Sequence, residues 1–376
     1  MPRLLLAAVA ALLAVPAVEA CTFCAGGVRS RQSLRGHLAQ AKYVAYGTLK
    51  NARVDPNGVS GTTDFHVTRV VKSYEPFAKL THFVVPKYIP AGGGPSDYLF
   101  FVGDRDGTPD PFHGVPATLA MSEYVTAIAR LGDATTNQRL AFYFGHLDAD
   151  DPSVSADAFL EFAKATDVEI AAAKPVLDAG KLRRLLTKAD TPADRLGVYA
   201  MMLGLCGGPT DADLLDAQVS LSPMPERVQD SLGGHLAGLA ALDIDRGWKR
   251  ITSVITDPAR QYAERLAAIG TLRYLQGTRG DTVRPQVVAC YKTLMTQPDL
   301  ADLAIEDLRR WGYFDATPEV LALFDKPTHA GRLVRRAIVQ YALTAPGDAA
   351  KAFVTKLRTT DPKLVASAEE LLKLQK

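Results

Sequence analysis

The sequence predicts a multi-domain chain of the α and β class, a small antiparallel β domain followed by an α-solenoid of helix pairs. Three observations predict it. Phrases rich in Val, Phe, Tyr and Thr cluster before residue 131. From Pro152 to Pro362, prolines recur 29 to 40 residues apart within helix-period sequence. The 376 residues exceed the usual size of one domain. An apolar fraction of 47% with 22% charged residues excludes a disordered or collagen-like chain. With 43 basic against 41 acidic residues, the composition points to no nucleic acid partner.

Residues 1–20 carry Arg3, an apolar run from Leu4 to Val15, and the small residues Ala17, Val18 and Ala20. This is the pattern of a secretory signal peptide, and the run is too short to span a bilayer. Cleavage after Ala20 makes Cys21 the first mature residue and implies a periplasmic or extracellular address. The phrase Val18-Glu19-Ala20-Cys21 is also similar to a lipoprotein box, apart from Glu19. Lipid on Cys21 is therefore the alternative, and the only route to a membrane partner.

Residues 21–136 form the expected β domain. Strands are placed at Tyr43 to Leu49, Thr63 to Val71, Thr81 to Tyr88 and Tyr98 to Gly103, with a fifth near Gly114 to Thr118. Asp55-Pro56-Asn57-Gly58 and Gly92-Gly93-Gly94-Pro95 supply turns. A connector helix capped by Ser122 is expected to run to Leu131.

Residues 137–376 form the expected helical array. Pro152, Pro192, Pro225, Pro258, Pro298, Pro327 and Pro362 each suit a first helical turn, where the missing amide is not needed. Asp151, Thr191, Asp257 and Asp361 precede four of them as caps. After Pro258 the apolar Tyr262, Leu266 and Ile269 share a face, and Gly277 is positioned to stop that helix.

Cys21 and Cys24 form the sharpest local motif. A Cys-x-x-Cys pair serves as a short disulfide, half a zinc site or a redox pair; export favours the disulfide. Cys206 and Cys290 lie in apolar phrases and are expected to be buried thiols. The seven histidines show no metal-ligand spacing, and no cofactor is expected. His66 and His82 can meet across adjacent strands, as hydrogen-bonded neutral rings rather than ligands. The acidic run from His146 to Asp151 lacks the central Gly and terminal Glu of a calcium loop, so Asp151 reads as a helix cap. No Gly-x-Ser-x-Gly, Ser-x-x-Lys or P-loop pattern is present, which argues against an enzyme of the common kinds.

The helical half resembles HEAT-type repeats in its Asp-Pro or Thr-Pro phrases with a basic residue in the first turn, at Arg195, Arg227 and Arg260. That resemblance implies an α-solenoid with a binding role. The first half resembles the netrin-type OB domain shared with tissue inhibitors of metalloproteinases. The likeness rests on Cys21-Thr22-Phe23-Cys24 and on the strand phrases Ala41 to Gly47, Phe65 to Val71 and Asp97 to Val102. It implies an OB-like small β-barrel. In the inhibitors the terminal cysteine's amine and carbonyl chelate a protease's zinc and the next residue enters its specificity pocket, roles that map to Cys21 and Thr22. Phe23 lengthens the family's Cys-x-Cys by one residue.

The function expected is thus an exported, non-enzymatic protein-binding or scaffold protein with another protein as partner. A metalloprotease-inhibitor-like module and an envelope enzyme with an unrecognised site are the alternatives.

Overall fold

The computed structural model describes residues 21–24, 30–56, 58, 60–90 and 96–375. The signal peptide, Asn57 and the Gly92-Gly93-Gly94-Pro95 turn lie outside them. The chain divides into two compact units, Met1–Leu177 and Asp178–Lys376.

The first unit opens with α1 (Leu34–Gln40), whose cap Ser33 accepts from the Gly36 amide. Five strands follow: β1 (Tyr43–Val54), β2 (Gly61–Lys72), β3 (His82–Val85), β4 (Asp97–Arg105) and β5 (Thr108–Pro116). They make one antiparallel sheet in the order β3-β2-β1-β4-β5. Alternation puts Tyr43, Ala45, Phe65, Phe83, Phe100 and Val102 on one buried face, where Phe65 packs 4.8 Å from Phe100 between ring centroids. Between β1 and β2, the Gly58 amide donates to the Asp55 carbonyl at 2.9 Å, with Gly58 at φ +69°.

β5 departs from expectation. It begins at Thr108, because Asp106 and Gly107 both take positive φ and close a two-residue hairpin in which Thr108 pairs with Arg105. Its prolines, Pro109, Pro111 and Pro116, are tolerated because the strand is an edge of the sheet.

Four helices complete the unit: α2 (Leu119–Leu131), α3 (Thr136–Gly145), α4 (Pro152–Lys164) and α5 (Asp167–Ala172). The α2 cap is Thr118, not Ser122, because the Thr118 hydroxyl meets the Met121 amide at 3.1 Å; Ser122 is buried inside the helix. Asp151 caps α4 as expected, accepting from the Ser153 and Val154 amides.

The second unit is helical throughout. It contains α6 (Ala179–Thr187), α7 (Ala193–Cys206), α8 (Pro209–Val219), α9 (Glu226–Gln229), α10 (Leu232–Leu242), α11 (Ile244–Thr256) and α12 (Tyr262–Arg279). It continues with α13 (Arg284–Leu294), α14 (Ala301–Arg310), α15 (Thr317–Ala322), α16 (Arg332–Thr344), α17 (Asp348–Thr360) and α18 (Pro362–Leu374). α10 packs on both α7 and α12, and α16 on both α14 and α18.

The prolines divide by position. Pro362 opens α18 behind the Asp361 cap, but Pro192 and Pro225 are themselves cap residues, and Pro258 and Pro298 lie in the turns before α12 and α14. Pro327 opens only a short 3-10 turn. Thr191 is buried, donating to the Leu185 carbonyl instead of capping α7. Asp257 likewise precedes a turn, and Gln261 is the residue that caps α12. Gly277 does not stop α12; the helix runs on to Gly280, which takes φ +56°.

α7 and α10 are buried along almost their whole length and approach each other through glycines. A Cβ on Gly234 would lie 2.0 Å from the Gly197 carbonyl oxygen, and one on Gly238 would lie 2.2 Å from that of Ala200. Only glycine permits this backbone separation.

Candidate functional site

The segment expected to begin the mature chain is seated inside the first unit. Cys21 is fully buried, and its amide donates to the Ala165 carbonyl at 2.8 Å, at the end of α4. The Thr22 amide donates to Asp167 Oδ1 at 3.0 Å, while the Thr22 hydroxyl donates to Oδ2 of the same carboxylate. Cys24 is also buried, and its amide reaches the Cys21 carbonyl at 3.4 Å. The backbone groups of Cys21 that the resemblance assigns to zinc chelation are therefore both occupied within the unit.

Beside this seat lies a polar cluster that the sequence did not signal. Asp157 of α4 is buried; its Oδ1 accepts from the Leu34 amide at 2.7 Å and its Oδ2 from the Tyr124 hydroxyl at 2.9 Å. Burial pushes its carboxyl up to about 6, against the two donors that favour the charged form. One turn later, Glu161 is buried with Oε2 on Arg35 Nε at 2.9 Å. Glu161 Oε1 and the Tyr143 hydroxyl are buried without a hydrogen-bond partner among the described residues. Both residues line a cavity of about 100 Å³ that Arg35, Arg139 and Lys164 also border. The only sequence trace is two acids four residues apart in the otherwise apolar stretch of α4.

Two larger openings are better shaped for ligands. In the first unit, a groove of about 660 Å³ lies between the residues following β3 and the edge strand β5. Tyr88, Tyr98, Phe112 and His113 line it, together with Pro86, Pro90 and Pro111. Tyr88 and Phe112 are 43% and 44% exposed, large apolar rings left facing water. In the second unit, a pocket of about 410 Å³ has an apolar floor of Val219, Leu232, Leu236 and Val254. Its rim carries Ser220, Ser222, Ser253, Arg250 and Arg260. Arg250 is held on Asp216 at 2.6 Å and Arg260 on Glu264 at 3.4 Å, so both rim cations are fixed in place.

Four of the seven histidines form two ring pairs. His37 and His113 stack with ring centroids 3.7 Å apart and planes 5° from parallel. Burial, with His113 beside it, pushes His37 down to about 4, and burial lowers His113 as well. His66 and His82 are register partners across β2 and β3, as the strand assignment anticipated. Among the described residues, no group of three or more His, Cys, Asp or Glu is placed to hold a metal ion. Cys290 is buried, as expected, and burial pushes its thiol up to about 11. Cys206 is only partly buried because it ends α7, where its thiol reaches the Met202 carbonyl.

Comparison with known proteins defines no class: no family model, curated protein or solved structure matches the chain. Among the described residues, no helix is long and apolar enough to cross a membrane.

Proposed function

We propose that the protein is an exported, non-enzymatic protein-binding scaffold in which an OB-like small β-barrel leads a HEAT-like α-solenoid. The observation that carries this reading is a series of side-chain links in the second unit, each spanning 27 to 34 residues. Arg183 meets Asp211, Arg246 meets Asp213, Arg250 meets Asp216, Arg265 meets Asp299, Arg273 meets Asp307, Arg284 meets Asp315 and Lys292 meets Glu319. Arg227, at a HEAT-type basic position, reaches the carbonyls of Lys188, Ala189 and Thr191 in the same way. Links from each helix pair to the next are what a solenoid is built on, and such arrays act through their extended surfaces. The 410 Å³ pocket, apolar below and polar at its rim, suits a partner's side chain.

The OB-like reading is supported by five antiparallel strands whose two edges, β3 and β5, border one groove, as in a partly open five-stranded barrel. Export is supported by the signal-peptide pattern of residues 1–20. No disulfide joins Cys21 and Cys24 in this structure, and the short disulfide is proposed for the exported chain on the ground of its oxidising address; a lipid on Cys21 would have to leave this buried seat. The inhibitor-like alternative would require Cys21 to release Ala165. The reading calls for no cofactor and no nucleic acid.

The test is quantitative affinity capture from the envelope fraction with the natural chain and with Leu221→Asp. Leu221 is 51% exposed at the pocket, so the change should leave the fold intact. A protein retained by the natural chain and lost by the variant is the expected result. Identical capture by both would remove the pocket from the proposal, and no specific capture by either would remove the proposal itself.

A further inference from the structure

In the β2–β3 pair, Phe65 opposes Phe83, and both rings are buried, 0% and 6% exposed. Side chains alternate across a strand, so the next register pair, His66 and His82, points to the opposite, open face. His82 is exposed and His66 partly so. Their ring centroids are 5.9 Å apart with planes 23° from parallel. We propose that His66 and His82 together bind one late first-row divalent cation, of the class Cu²⁺, Ni²⁺ or Zn²⁺, with water completing its coordination.

The spacing is the first support. A metal–nitrogen bond of about 2.0–2.1 Å, plus about 1.1 Å from ring nitrogen to centroid, lets two imidazoles share an ion with centroids up to about 6.4 Å apart. The observed separation falls inside that reach, and with the ladder fixing both Cα positions only side-chain rotation is needed to turn a nitrogen of each ring toward the ion. The nearest competing contact is long: Thr81 Oγ1 lies 3.4 Å from His82 Nδ1. Ligand type sets the class, since neutral imidazole suits copper, nickel and zinc, whereas calcium and magnesium prefer oxygen. Asp64 stands two residues from His66 on the same face, but Arg53 and Asn51 hold its carboxylate. The Arg53 guanidinium offsets its charge, which leaves the two ring nitrogens as the protein ligands. The inference rests on the sheet register and the ring spacing and stands apart from the scaffold reading.

The test is titration of the full chain with CuCl₂, followed by calorimetry and by electron paramagnetic resonance, for the natural chain, His66→Ala, His82→Ala and the double variant. The site predicts one equivalent whose spectrum shows two equatorial nitrogens, a loss of about tenfold or more in affinity in each single variant, and disappearance of that equivalent in the double variant. Because both side chains face outward, circular dichroism should be unchanged, and Asn replacements give a second set should Ala disturb the edge. An equivalent that survives in the double variant, or no binding by the natural chain, would overturn the proposal.

Discussion

Tyr124 and Asp157 show what a single hydroxyl does in a buried site. The Tyr124 hydroxyl and the Leu34 amide are the two donors that stabilise the Asp157 carboxylate, whose folded value is pushed up to about 6 by burial. A raised carboxyl gives stability that is present below its unfolded value near 3.8 and lost as pH rises through about 6. Tyr124→Phe should therefore cost about 1.5–3 kcal/mol at pH 8, where the charge is left with one donor, and clearly less at pH 4. Calorimetry of the full chain at both pH values checks this. Both tryptophans, Trp248 and Trp311, lie in the second unit, so the affected transition should be one that tryptophan fluorescence does not follow. An equal cost at both pH values would mean that Asp157 is not the group served. None of this was legible beforehand. Asp151 could be read as a cap because its partners lie two and three residues away, whereas Asp157 meets Leu34 across 123 residues.

At the level of elements, glycine marks where helices touch. Gly238→Ala on α10 should destabilise the second unit by about 1–3 kcal/mol, because the new methyl would meet the Ala200 carbonyl of α7, a backbone atom that cannot turn aside. Gly270→Ala, within α12, meets nothing within 4 Å and should stabilise by about 0.5–1 kcal/mol through helix propensity. Urea unfolding followed by tryptophan fluorescence measures both, and a shift of the same sign in the two variants would refute the close-crossing account. Four of the strands were legible from β-branched and aromatic runs. Of β5 only the end was legible, as the fifth strand expected near Gly114 to Thr118; its start at Thr108 was hidden by prolines that its edge position excuses. Helix ends were misplaced where a short-range signal was outcompeted: Ser122 by Thr118, whose hydroxyl faces the open Met121 amide, and Gly277 by Gly280, which alone of the two takes positive φ.

At the scale of the whole molecule, the change from strand to helical periodicity was legible in the sequence, but not which helices keep company with the sheet. α4 joins the first unit through Leu34–Asp157 and Arg35–Glu161, contacts with no local signature. The prolines marked helical sequence in the second unit, although several of them sit in turns instead of opening helices, and side-chain links 27 to 34 residues apart join its helices. If those links and the α7–α10 crossing are what hold the unit, residues 178–376 need nothing from the sheet to fold. A fragment cut at Pro258 would instead expose the buried side of α12, with Ile269, Leu272 and Leu275, and should associate. The most direct measurement is urea unfolding of the isolated 178–376 fragment by circular dichroism and tryptophan fluorescence, compared with the full chain. The account predicts a helical fragment with a cooperative transition at the full chain's fluorescence midpoint; a disordered fragment, or a transition lost or moved far to lower urea, would contradict it.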